Sequence, residues 1–148
     1  MKGQYITIGG ERFYCISNYD GMLPFFISLA SDTDLWMYIS STGGLTCGRR
    51  NPEQVLFPYY TDDKIAEGAE HTGAKTIIRV KNEDSVHLWE PFSHRQAGQY
   101  KLMRSIAKSV TGNRLLFREQ NMDLGLTFSY EWAPAASMGW VRTAEISN

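Results

Sequence analysis

At 148 residues the chain has the length of one domain, large enough to bury roughly two-thirds of its unfolded surface. A formal net charge of −1 argues against nucleic acid or an anionic membrane as partner, since both are bound by a clustered basic excess. The two cysteines, Cys15 and Cys47, are too few for a disulfide framework and lack metal-ligand spacing. With no signal-type or membrane-length apolar run, they predict a cytoplasmic protein.

Period-2 alternation runs through most of the chain. Ile6 and Ile8 share a face, Gly9-Gly10 supply a two-residue turn, and Phe13 and Cys15 continue the return strand. Phe25, Ile27 and Leu29 alternate, as do Leu35, Met37 and Ile39, with Trp36 and Tyr38 on the opposite face. Arg49 to Asp63 is expected to be a long loop, and Asp63 to Ala69 tolerates a helix too short to stand without packing. Thr76–Val80 and Val86–Glu90 form short strands around the polar turn Lys81-Asn82-Glu83-Asp84. Lys101–Val110 and Arg114–Gln120 flank Thr111-Gly112-Asn113, the signature of a hairpin with a three-residue loop. Leu124, Leu126, Phe128, Tyr130 and Trp132 form one long stripe ending at Pro134, and Trp140–Ile146 is the last strand. About ten strands at short spacing predict an all-β, antiparallel β-sandwich in a single domain spanning 1–148. A final strand with nothing behind it leaves an unpaired edge, which predicts that the chain is the N-terminal part of a longer protein.

Most possible catalytic signals dissolve on inspection. His71, His87 and His94 stand at no metal-ligand spacing, so no metal is expected. No G-x-S-x-G elbow marks a nucleophile, and neither Gly9-Gly10 nor Gly43-Gly44 opens a helix that could hold a phosphate. The run TGGLTCGRRNPEQVLFPYYTDD is different. Arg49, Arg50, Asn51, Glu53 and Asp62 are planar polar groups suited to sugar hydroxyls, and Tyr59 and Tyr60 offer faces for sugar rings. The plainer reading is a solvated loop whose arginines and aspartates pair with each other. Trp89 beside Glu90 invites a sugar platform too, but is expected to be half-buried on its strand.

Pro24 to Asp63 resembles the N-terminal sandwich of the inverting β-glycoside phosphorylases, the cellobiose and chitobiose phosphorylase and cyclic β-glucan synthase group. That family carries a Gly-rich turn before T-W-x-x-N-S-R-E-N-x-L-T-P-W-x-N-D-P. Here Ser40-Ser41-Thr42-Gly43-Gly44 precedes Thr46 to Asp62, with the Arg, Glu and Pro-aromatic-x-x-Asp in order. Trp89-Glu90-Pro91 followed by Tyr100 and Arg104-Ser105 resembles the family's W-x-P element and later strand, and Val141 to Asn148 resembles its L-T-L-x-N strand. Cys47, Pro52 and Ser105 depart from the pattern.

The resemblance implies a partial galactose-mutarotase-like supersandwich that packs on an (α/α)₆ barrel absent from this chain. In that family the barrel holds the catalytic acid and inorganic phosphate is the co-substrate. The sandwich contributes the active-site rim or a dimer contact. The chain itself would then be non-catalytic and need no cofactor, with Arg49, Arg50, Glu53, Tyr59 and Asp62 facing the barrel or a sugar. Its partners would be a β-glucan or oligosaccharide, the barrel, and a second copy of itself. Two alternatives remain: a free-standing carbohydrate-binding module using Trp36, Tyr38, Trp89 or Tyr59, and a mutarotase-like epimerase pairing His87 with Glu90 or His94 with Glu119.

Overall fold

The structure, a computed structural model, describes residues 2–55, 62–82, 84–137 and 139–148. Among the described residues eleven strands form three antiparallel sheets. Strands β1 (Lys2–Ile8) and β2 (Glu11–Ser17) form the first hairpin, and Ile8 pairs with Glu11 across Gly9 (φ 56°) and Gly10 (φ 84°). Positive φ at both turn residues is the conformation that glycine adopts without penalty and that matches strand twist. Three further strands, β3 (Phe26–Leu29), β4 (Leu35–Ser40) and β5 (Leu45–Arg49), make a three-stranded sheet. A short helix α1 (Asp62–Glu67) follows, then the ladder of β6 (Ile78–Lys81) and β7 (Val86–Trp89). Finally β8 (Leu102–Ser109), β9 (Leu115–Asn121), β10 (Leu126–Ala135) and β11 (Gly139–Ser147) complete a six-stranded sheet in the order β1-β2-β8-β9-β10-β11.

Strand alternation decides which side chains meet. Ile106, Leu115, Phe117, Phe128 and Tyr130 of the large sheet share one buried cluster with Ile27, Leu29, Met37, Ile39, Leu45 and Cys47 of the small sheet. The fold is therefore an all-β sandwich, with its main core between these two sheets. Phe13, Cys15 and Ala107 point from the opposite face and build a second cluster with Ile6, Ile8 and Leu116. The Arg114 guanidinium lies 5.4 Å from the centre of the Phe13 ring and closes that cluster. It is held by Glu131 through Nε and Nη2 (2.9 Å for the latter) and by Glu11 through Nη1 at 2.7 Å.

Several expectations need correction. Leu45–Arg49, where the sequence pattern marks no strand, form β5, whose Leu45, Thr46, Cys47 and Gly48 are all buried. Both of its faces are covered, so it carries no polar alternation to read. Trp89 is fully buried, because its indole N–H has a buried acceptor in Glu119. Leu124 belongs to the turn before β10, where Asn121 Oδ1 accepts its N–H. That strand runs through Pro134, which pairs only with Trp140 of β11; the β9 pairing stops at Trp132, so the missing N–H costs no ladder bond. The β8–β9 connection is wider than three residues, since Lys108–Leu115 is the last strand pair. Ser109 Oγ then accepts the N–H groups of Asn113 and Arg114.

Candidate functional site

Two of the expected site residues sit together at one end of the small sheet. Arg49 ends β5, and Arg50 follows in a left-handed conformation (φ 60°). The Asn51 N–H donates to Arg49 O at 2.7 Å, so Arg50 is the centre of a tight γ-turn, a conformation uncommon for a side chain of this size. That turn aims both guanidiniums at Asp34, with Nε–Oδ distances of 3.2 and 3.4 Å, while 62% and 72% of the two arginine side chains stay exposed. Partial desolvation raises the Asp34 carboxyl, but hydrogen bonds and charge from Arg49 and Arg50 outweigh it and hold the pKa below its ordinary value. The plainer expectation paired these arginines with the aspartates of their own loop, Asp62 and Asp63, whose side chains lie outside the described residues; the partner seen is Asp34, just before β4. Exposed pairs like these are weak and exchange readily for a ligand's hydroxyls. Glu53 is exposed in the 3₁₀ turn Pro52–Gln54 beside them. Tyr59 lies outside the described residues, and of Asp62 the backbone alone is described, at the start of α1.

The same sheet carries a row of aromatic rings facing away from the core. Phe26 and Tyr38 stack with centroids 5.2 Å apart and planes at 26°, and Trp36 lies 5.6 Å beyond Tyr38. These rings meet because Phe26 on β3 pairs with Ser40, which puts it diagonally across from Tyr38 on β4. Phe26 is 43% exposed, and the other two are half-buried. Under Trp36 the backbone of Gly48 comes so close that a Cβ there would lie 2.8 Å from the indole ring. A row of partly exposed aromatic rings, with successive planes tilted by 26° and 38°, thus stands next to the paired arginines.

A second constellation lies between the sheets. Glu119 is fully buried and accepts from Trp89 Nε1 (2.7 Å), the Phe92 N–H (2.8 Å) and Arg104 Nε (2.6 Å). These bonds tie the loop after β7 to the large sheet and hold Phe92 at φ 65°. Two small clefts adjoin this knot, and Thr42, Phe92 and Tyr130 line both. One, of about 50 Å³, also touches Tyr19, His94 and Arg104; the other, of about 30 Å³, touches Lys75, Thr76 and Arg142. Three segments far apart in sequence converge here: the turn at Thr42-Gly43, the stretch Trp89 to Phe92, and Arg142 on the last strand.

None of these groups is arranged as an acid–base pair. His87 Nε2 is 3.0 Å from Ser85 Oγ, Glu90 is paired with Arg95, and both Glu119 oxygens are already bonded. No hydrogen bond joins His87 to Glu90 or His94 to Glu119. Burial raises the thiol of Cys15 and pushes that of Cys47 up to about 11, which makes both poor nucleophiles. Among the described residues no three His, Cys, Asp or Glu side chains gather at a point, and no helix is long and apolar enough to cross a membrane.

No protein-family model matches the chain, and no curated protein matches it in sequence. The geometry therefore carries the functional argument. Phe26 and Arg142 went unnoticed as site residues in the linear pattern, and Glu119, weighed there only as an acid–base partner of His94, is instead a buried acceptor of three hydrogen bonds. Each acquires its role from a partner on another strand, which residue spacing does not encode.

Proposed function

We propose that the chain is a non-catalytic carbohydrate-recognition sandwich, the N-terminal part of a glycoside-phosphorylase-like protein whose catalytic barrel is a separate helical domain. The observation that carries this reading is the Phe26–Tyr38–Trp36 row beside Arg49, Arg50 and Glu53. Pyranose rings present CH faces to such rings and hydroxyl pairs to guanidiniums, and the arginines can leave Asp34 at little cost. The family resemblance supplies the substrate class, β-linked glucosides. It also supplies the parent's co-substrate, inorganic phosphate, which this chain would not use itself.

Calorimetric titration of the chain with β-glucan oligosaccharides tests the reading. Binding in the millimolar-to-micromolar range is expected. Tyr38→Ala should weaken it about tenfold, roughly 1.4 kcal/mol, while far-ultraviolet circular dichroism stays unchanged. A folded wild-type chain that binds no oligosaccharide would remove recognition by this domain from consideration.

A further inference from the structure

Three arginines of this chain are drawn partly out of water, and two of them hold carboxylates. Arg104 is paired with Glu119 at 2.6 Å, and Arg114 holds Glu11 and Glu131. Arg142, on β11, is the third. Among the described residues no carboxylate lies within 4.0 Å of it. Its Nε is buried without a hydrogen-bond partner, and its Nη2 reaches only Thr76 Oγ1, at 3.5 Å. The guanidinium lies 4.3 Å from the centre of the Tyr130 ring and 6.0 Å from that of Phe128. A ring face attracts a cation, but a desolvated charge without an anion is expensive, and the aromatic contact is the smaller of the two effects. Burial accordingly pushes the pKa of Arg142 down from its ordinary value.

The guanidinium lines the smaller of the two clefts, together with Lys75, Thr76, Thr42 and Pro91. Lys75, which also lines the cleft, is paired with Glu70 at 2.9 Å, so its charge is already offset. About 30 Å³ is two to three times what one water needs, enough for the two oxygens of a carboxylate and too little for a sugar ring. The Tyr130 ring at 4.3 Å restricts where the guanidinium can sit, and a guanidinium fork favours a planar, bidentate acceptor over a point charge.

We propose that this cleft is a carboxylate-binding site, in which Arg142 and Thr76 hold the acid group of a small ligand such as a uronic acid. The body of the ligand stays outside the cleft. No residue of this site belongs to the Phe26–Tyr38–Trp36 row, so the two surfaces can be tested apart.

The experiment is a titration of ¹⁵N-labelled chain with sodium acetate and with glucuronate, following the Arg142 Nε–H resonance and the backbone amides of Thr76 and Gly43. Glucose at equal concentration and sodium chloride at equal ionic strength are the controls. Saturable shifts confined to this cleft are expected with acetate and glucuronate and absent with glucose and chloride. Arg142→Lys, which keeps the charge and loses the fork, should weaken glucuronate about tenfold, and Thr76→Val should weaken it less. Absence of saturable shifts in the wild-type chain overturns the proposal, and so does equal response to chloride. Should Arg142→Lys fail to fold, the wild-type titration with Thr76→Val still decides the outcome. Loss of oligosaccharide binding with carboxylate binding intact would count against the aromatic surface alone.

Discussion

Glu119 shows how one side chain in this sandwich can hold several elements at once. Its carboxylate has no exposure and three donors, from β7, from the loop after it and from β8. Arg104 spends a further donor on Ser93 O at 3.3 Å, and its own backbone carbonyl accepts from Asn18 N–H at 2.7 Å. Removing the carboxylate strands an indole N–H, a backbone N–H and a guanidinium that is only 10% exposed. Glu119→Ala should therefore cost about 3–5 kcal/mol, the range for breaking one side of a buried pair. Phe92, relieved of its acceptor, would also leave its strained conformation. Urea denaturation of the variant measures this; a loss comparable to that of an exposed substitution would show that the knot does not bear on stability. This bracing role was unreadable in the linear sequence, where Glu119 is one glutamate on an alternating strand and suggested only a pairing with His94. Its opposite neighbour Arg104 becomes visible only through the β8–β9 register.

At the scale of elements, α1 is the piece that sequence alone could not secure. Six helical residues cannot persist by propensity, so the helix depends on where it docks. It docks on the turn between β4 and β5: Ile65 is buried, Thr42 Oγ1 donates to Ala66 O at 3.0 Å, and Gly44 lies against the helix backbone. A Cβ at Gly44 would stand 2.1 Å from Ile65 O and 3.0 Å from Ala69 N, atoms that no side-chain rotation can clear. Gly44→Ala should destabilise the chain by about 1–3 kcal/mol through this overlap. Gly21→Ala, where nothing lies within 4 Å, is the control and should be close to neutral. Equal denaturation midpoints for the two variants would mean that the helix is not seated as described. The hairpins and the long stripes were legible because each has one wet face and a turn of recognisable chemistry. Strand β5 was not, because Thr46 and Gly48, which should read as its polar side, are covered as completely as Leu45 and Cys47. Arg49 and Arg50 were legible as a pair and their partner was not, since Asp34 meets them only through the β4–β5 register.

For the molecule as a whole, the carboxylates with shifted pKa values lean one way. Asp34, Glu11 and Glu70 all lie below their ordinary values in the folded chain. For Glu11 the largest cause is the Thr111 hydroxyl, then Arg114; for Glu70 it is the hydrogen bond from Lys75. A carboxyl whose folded pKa is depressed contributes stability that is fully present above its unfolded value, near 4.5 for a glutamate. As the pH falls through the lower folded value the unfolded chain binds more protons, and that contribution disappears. The melting temperature should therefore be level from roughly pH 7 to pH 6 and decline below about pH 4.5. Glu11 is the most informative of the three because its partners join the β8–β9 connection to β2, and through Arg114 to β10. Glu11→Gln keeps the shape and removes the titration. The variant should melt lower than the wild type at neutral pH, and the gap should narrow as the pH drops toward 3. A gap that stays constant over the whole range would mean that the Glu11 carboxylate contributes no charge to the latch over Phe13, and that the second cluster is closed by packing alone.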